Sequence, residues 1–99
     1  YITTKDKKEA LKIGEALVKE KLAACVNIIS PVESIYRWKG KIEKAREALL
    51  IVKTKKSLAK KIIKKIKSIH SYECPEIIFS PIEGGSKDYL EWIDRETKS

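Results

Sequence analysis

Segments of strand and helix character alternate along the 99 residues in the order βαββαβ, and a further amphipathic helix closes the chain. This order predicts an α+β fold: a ferredoxin-like sandwich whose four-stranded antiparallel sheet carries two helices on one face, with an extra C-terminal helix. Three observations carry the prediction. Apolar residues recur at helical spacing around Ile13 and again around Ile62. Two long strand-like runs flank Lys39-Gly40-Lys41, which reads as a hairpin turn. A chain of 99 residues makes one domain, residues 1–99, and leaves no room for a second.

Each element has its own justification. Tyr1-Ile2-Thr3-Thr4 is β-branched and aromatic, the end of a strand. Asp6 and Glu9 fit the N-cap and N3 positions of a capping box. Behind them Ala10, Ile13 and Leu17, flanked by Gly14 and Val18, predict a helix over 7–21. Gly14 weakens that helix by about 1 kcal/mol relative to Ala, and its use is close packing on a sheet. Residues 22–29 are a compact apolar run, and residues 32–38 alternate with a period near two. Together they predict one long strand interrupted by Pro31, which requires an edge position or a bulge. Residues 42–55 return as a second long strand centred on Ala48-Leu49-Leu50-Ile51-Val52. Ser57 is expected to cap a second helix with the stripe Leu58, Ile62, Ile66 and Ile69, ending near His70. Residues 76–82 predict a fourth strand, and Ser86 the cap of a last helix over 87–96.

The two central strands are too long for their domain. Strands of about 15 residues span about 50 Å at 3.3 Å per residue. A domain of this length has a radius of gyration near ~13 Å. The strands must overhang or bend, and bare strand edges need covering. An oligomer is therefore expected.

Charge narrows the function classes. The 22 Lys and Arg against 14 Asp and Glu leave a net charge of +8, a balance that suits polyanions. The stacking-aromatic pattern of RNA-recognition sheets is missing from the central strands, where Leu49 to Val52 stand instead. Lys and Glu dominate, Asn27 is the only Asn, and Gln is absent. That composition is typical of thermophilic surfaces and predicts an unfolding transition above about 90 °C. No nucleic-acid partner is expected. No apolar run reaches the ~20 residues of a membrane span, so no membrane is expected either. The chain holds no Met, so Tyr1 does not read as a native start. The expected location is cytoplasmic.

Neither a phosphate-cradling glycine loop nor a Gly-x-Ser-x-Gly elbow is present. Cys25 and Cys74 are too few for a disulfide scaffold and read as free thiols. Cys25 lies in an apolar run, where cysteine behaves as a small core hydrophobe. His70 is the single histidine, within five positions of Glu73 and Cys74, so nitrogen, oxygen and sulfur donors stand close in sequence. His70 also fits a helix C-terminus, where imidazolium meets free carbonyls. Tyr36 and Trp38, two apart on one strand face, read as a binding platform or an interface anchor. No third group orients a Cys25–His70 pair, so no enzyme is expected.

The segments Glu20-Lys21-Leu22-Ala23-Ala24-Cys25-Val26-Asn27, Ser34-Ile35-Tyr36-Arg37-Trp38-Lys39-Gly40-Lys41-Ile42 and Lys53-Thr54 resemble, in order and spacing, the CutA family of divalent-cation-tolerance proteins. So do His70-Ser71-Tyr72-Glu73-Cys74-Pro75-Glu76-Ile77 and Asp88-Tyr89-Leu90-Glu91-Trp92. The resemblance covers nearly the whole chain. It implies a homotrimer with interlocked strands, a role in tolerance of divalent metal ions, and Cu(II) or another divalent cation as the possible bound ion. No reaction is implied. It gathers Cys25, Tyr36, Trp38, Lys53, His70, Tyr72, Glu73, Tyr89 and Trp92 around clefts between subunits, with His70 and Glu73 as the metal-ligand candidates. Some bacterial members carry a cysteine and a second histidine where Ile2 and Ile69 stand here, so a copper site on that pattern keeps only His70. Ser71 stands where proline is common. The alternative implied by similar trimers is nucleotide or small-anion sensing of the PII type, with Tyr36, Arg37 and Lys53 receiving the anion.

Overall fold

The computed structural model describes residues 1–99. The elements are β1 (Ile2–Thr4), α1 (Lys7–Lys19), β2 (Cys25–Trp38), β3 (Lys41–Lys53), a 3-10 turn (Lys56–Leu58), α2 (Ala59–Ile69) and α3 (Lys87–Arg95). β1, β3 and β2 form an antiparallel sheet in that spatial order. The α+β class agrees with the expectation, but the sheet has three strands where four were expected.

Asp6 caps α1, its Oδ1 accepting from the Glu9 amide at 2.8 Å. The helix stops two residues before the expected end. Leu22 N–H donates to Leu17 O and Lys21 N–H to Val18 O, while Lys21 takes φ 59°. This is a Schellman stop, with lysine in the left-handed position that glycine usually fills. Gly14 does bring the helix close to the sheet: a Cβ there would lie 3.3 Å from Val26 Cγ1.

β2 is an edge strand and carries a bulge, which satisfies both conditions set by Pro31. Ile29 pairs with Leu49 and Val32 with Glu47, so Ser30 and Pro31 face the single residue Ala48. Leu22 and Ala23, expected inside the strand, precede it and are buried beneath the helices. At the far end Lys39 and Gly40 both have positive φ, 50° and 79°, as a type I′ turn requires.

Ser57 does not cap α2. It lies within the 3-10 turn, and the helix starts at Ala59 without a side-chain cap. Ser86 occupies the N-cap of α3, again without a side-chain bond. The expected fourth strand is reduced to a bridge of Ile77 with Ile2. Tyr1 and Ile78 exchange two backbone hydrogen bonds beside it. β1 is only three residues long and Pro75 and Pro81 bracket the segment, so there is little to pair with.

One core holds the layers together. Ala10, Ile13 and Leu17 of α1 and Leu58, Ile62 and Ile66 meet Ile2, Ala48 and Leu50 of the sheet. The β2–β3 hairpin projects beyond it. β1 pairs only with Ala48 to Leu50, so the distal part of β3 has β2 as its sole neighbour. The molecule is consequently elongated, 44 × 26 × 22 Å. Ile35 and Ile42 on this arm are 70% and 64% exposed.

Candidate functional site

The region around the end of α2 is built from buried polar contacts. His70 is the C-cap of α2, its amide donating to Ile66 O at 2.8 Å. Its side chain is fully buried. Nδ1 accepts from the Tyr72 amide at 3.0 Å, which leaves the ring hydrogen on Nε2, and Nε2 donates to Thr3 O at 2.8 Å. Both ring nitrogens are therefore used. His70 fastens the loop after α2 to strand β1, and a metal could take a nitrogen only by breaking one of these bonds.

Glu9 is the second fastening. Its carboxylate accepts from the Ser71 amide at 2.8 Å, the Ser71 hydroxyl at 3.0 Å and the Lys5 amide at 3.2 Å. It thus serves Lys5 and a loop 62 residues away, not the Asp6 amide of a reciprocal capping box. Burial pushes its pKa up, but the Ser71 hydroxyl and amide, the Lys5 amide and nearby His70 prevail, and the carboxyl lies below its ordinary range.

So positioned, the loop aims Tyr72 at the sheet. Its hydroxyl donates to Glu47 Oε2 at 2.7 Å, and its ring lies 4.9 Å from that of His70, centre to centre. Burial first, and then the Glu47 carboxylate, push the Tyr72 phenol well above its usual range. Tyr72 and Glu73 share a cavity of about 740 Å³ with Tyr36, Trp38 and Glu47. The structure therefore brings together four of the expected site residues, with His70 beneath them.

The other four lie elsewhere. Cys25 and Lys53 pair at the opposite end of the hairpin from Trp38 and Lys41. Lys53 Nζ donates to Asn27 Oδ1, and Cys25 Sγ is 3.9 Å from the same oxygen. Cys25 is half-buried, not a core residue, and Cys74 is exposed; both are free thiols. Tyr89 and Trp92 of α3 pack with ring centres 5.4 Å apart and planes tilted by 40°. Partial desolvation, followed by the Cys25 sulfur, raises the Tyr89 phenol. Within one chain, no three His, Cys, Asp or Glu side chains converge closely enough to hold a metal ion.

Sequence reasoning missed Glu47, the buried acid in an apolar strand, and undervalued Glu9. A glutamate beside Ala48-Leu49-Leu50 was the available signal for the first. Nothing local marks the second's long-range bond to Ser71.

Comparison with known proteins places this architecture. The family model described as CutA1 divalent ion tolerance protein matches residues 1–96. The chain is 42% identical over 99 residues to "Protein CutA, chloroplastic" of Arabidopsis thaliana, covering all of this chain but 54% of that protein. It thus spans about half the length of that relative. It is 43% identical over 96 residues to "Divalent-cation tolerance protein CutA" of Thermus thermophilus, covering 97% of this chain and 93% of the relative. A solved structure of the divalent cation tolerance protein (Cut A1) from Thermus thermophilus superposes with a TM-score of 0.96 at 42% identity, covering 98% of this chain and 94% of that one. With its sequence matched from end to end and its fold superposed almost completely, this chain belongs to the CutA1 divalent ion tolerance family.

Proposed function

We propose that this chain acts as a homotrimer in tolerance of divalent cations, with Cu(II) held weakly at clefts between subunits. The observation that carries the reading is a pair of unsatisfied apolar surfaces on one molecule. The hairpin arm exposes Ile35 and Ile42. A groove of about 710 Å³ elsewhere is lined by Ile51, Val52, Ile78, Phe79 and Ile82. An arm and a groove on the same chain make a head-to-tail contact, which closes into a ring when the rotation allows. Such a ring carries each arm onto a neighbour, so Tyr36 and Trp38 approach groups that a single chain keeps apart.

The cavity lining favours a cation over an anion. Glu33, Glu47, Glu73 and Glu76 line it without any Lys or Arg, which counts against nucleotide binding there. Glu73 is the ligand candidate that remains open, whereas His70 is committed to the loop.

Light scattering at micromolar concentration tests the assembly: about three times the 11.3 kDa chain mass is expected, and a monomer refutes it. Calorimetry of the metal-free protein tests the ligand. Cu(II) is expected to give saturable heat, weakened in Glu73→Gln, and ATP none. The reverse result returns the reading to anion sensing.

A further inference from the structure

We propose that the outward face of α2 is a docking stripe for inorganic polyphosphate, a linear polyanion that carries charge but no bases. The net charge of +8 has one source. Between Ala48 and Tyr72 there are eight lysines and no acid, and the rest of the chain is balanced, with 14 basic and 14 acidic residues. Lys and Glu networks of the thermophilic kind account for that balanced remainder. They do not account for a segment that carries one sign only.

The packing of α2 turns these charges outward. Ile62 and Ile66 are buried and hold the helix on the core. Lys60, Lys64 and Lys67 follow at i, i+4 and i+7 on the opposite face, with Lys61 beside them, and all four are exposed. Lys65 has a partner, Glu20 at 2.8 Å. The other four make no ion pair. Like charges three and four residues apart repel along a helix. Lys60 and Lys61 also stand in the first turn, which holds no acid, so the helix dipole adds to the repulsion. Nothing in the fold offsets this, and a row of phosphates would.

The stripe lies outside the surfaces that the proposed ring uses. Lys53, Lys55 and Lys56 line the groove assigned to a neighbour's arm and are no part of it for that reason. Lys60, Lys61, Lys64 and Lys67 line neither that groove nor the cavity beside Tyr72. The side chains present select the polyanion. Neither α1 nor α2 holds an Arg or an aromatic residue. The face therefore has no planar fork for a base edge and no ring on which a base could stack. Lysine is a point charge that meets a phosphate in any orientation. A lipid surface fits less well, because the apolar side of α2 is buried in the core and has nothing to insert.

Isothermal titration with medium-chain inorganic polyphosphate, at about 0.1 M salt, tests the assignment. Saturable binding is expected. Lys60→Gln/Lys64→Gln/Lys67→Gln should weaken it by about tenfold or more. It should also reduce the slope of log K against log salt by about 2, the share of three phosphate contacts at about 0.7 each. Glutamine has nearly the helix propensity of lysine, so the fold is kept, and circular dichroism checks this. Lys5→Gln/Lys87→Gln/Lys98→Gln removes the same charge at exposed positions of the balanced remainder and should bind as the parent does. Absence of saturable heat refutes the proposal, and so does equal weakening by the two triple variants, which signifies diffuse attraction. Single-stranded DNA, whose phosphates are spaced apart by sugars, should bind more weakly at matched charge. Binding at least as tight would make the partner a nucleic acid and overturn the assignment. Co-sedimentation with phosphatidylserine vesicles that polyphosphate does not compete away would overturn it in favour of a membrane. The stripe needs no metal, and a light-scattering mass on each variant reports on the trimer separately.

Discussion

Replacing Glu9 should loosen the loop that carries the candidate site, and the loss should depend on pH in a defined direction. Glu9 is 8% exposed and accepts three hydrogen bonds, two of them from Ser71. In Glu9→Ala the Ser71 and Lys5 donors lose a charged acceptor, for which hydrogen bonds are worth about 1.5–3 kcal/mol each. Ser71 is exposed, so water replaces part of that. Removing a buried carboxylate also relieves its desolvation. Loss of a first-turn acid costs a further ~0.3–1 kcal/mol. The balance is a loss of about 2 kcal/mol at pH 7.

The native pKa of Glu9 is depressed, against about 4.3 unfolded. Its contribution is therefore complete above the unfolded value and is lost as pH falls through the native one. Glu9→Gln keeps the shape and one acceptor oxygen, so it should lose about 1 kcal/mol at pH 7 and less near pH 3, below the unfolded value. Guanidinium unfolding at fixed protomer concentration, at both pH values, measures the gap. A gap that stays constant or widens in acid would refute the reasoning, because the carboxylate would then not be the stabilised form.

Two further outcomes follow from the packing. His70→Ala should lose about 2–4 kcal/mol in the same unfolding assay, since Thr3 O and the Tyr72 amide lose their partner and a buried ring is deleted. Its Cu(II) affinity, read by calorimetry, should stay within about twofold of the parent; a larger drop makes His70 a ligand. Gly14→Ala gains about 1 kcal/mol of helix propensity but sets a methyl 3.3 Å from Val26 Cγ1. Overpacking of about 1–3 kcal/mol should prevail, for a net loss near ~1 kcal/mol. A more stable variant would mean that α1 stands farther from β2.

Elements governed by short-range chemistry were legible in the sequence, and those governed by a distant partner were not. Pro31 required an edge or a bulge and met both; Lys39-Gly40 marked the turn; strand length implied an overhang or a bend, and the overhang is what forms. Residues 76–82 had strand propensity, but pairing needs a neighbour, and β1 ends after three residues. Ser57 had a capping side chain, yet the chain entered α2 through a 3-10 turn that left the hydroxyl no role as a cap. For the candidate site the same division holds. His70 at a helix end was readable from the stripe of α2, whereas its bonds to Thr3 and Tyr72 depend on how the loop crosses β1. The placement of the site residues carries the argument one step further. The bulge at Ser30 and Pro31 fixes the register, so Tyr36 and Trp38 lie toward one end of the hairpin and Cys25 and Lys53 at the other. No motion within a rigid antiparallel pair can unite them. In the proposed trimer a neighbouring chain would supply the other half of each cleft, bringing the far end of its own hairpin to the residues that one chain keeps apart.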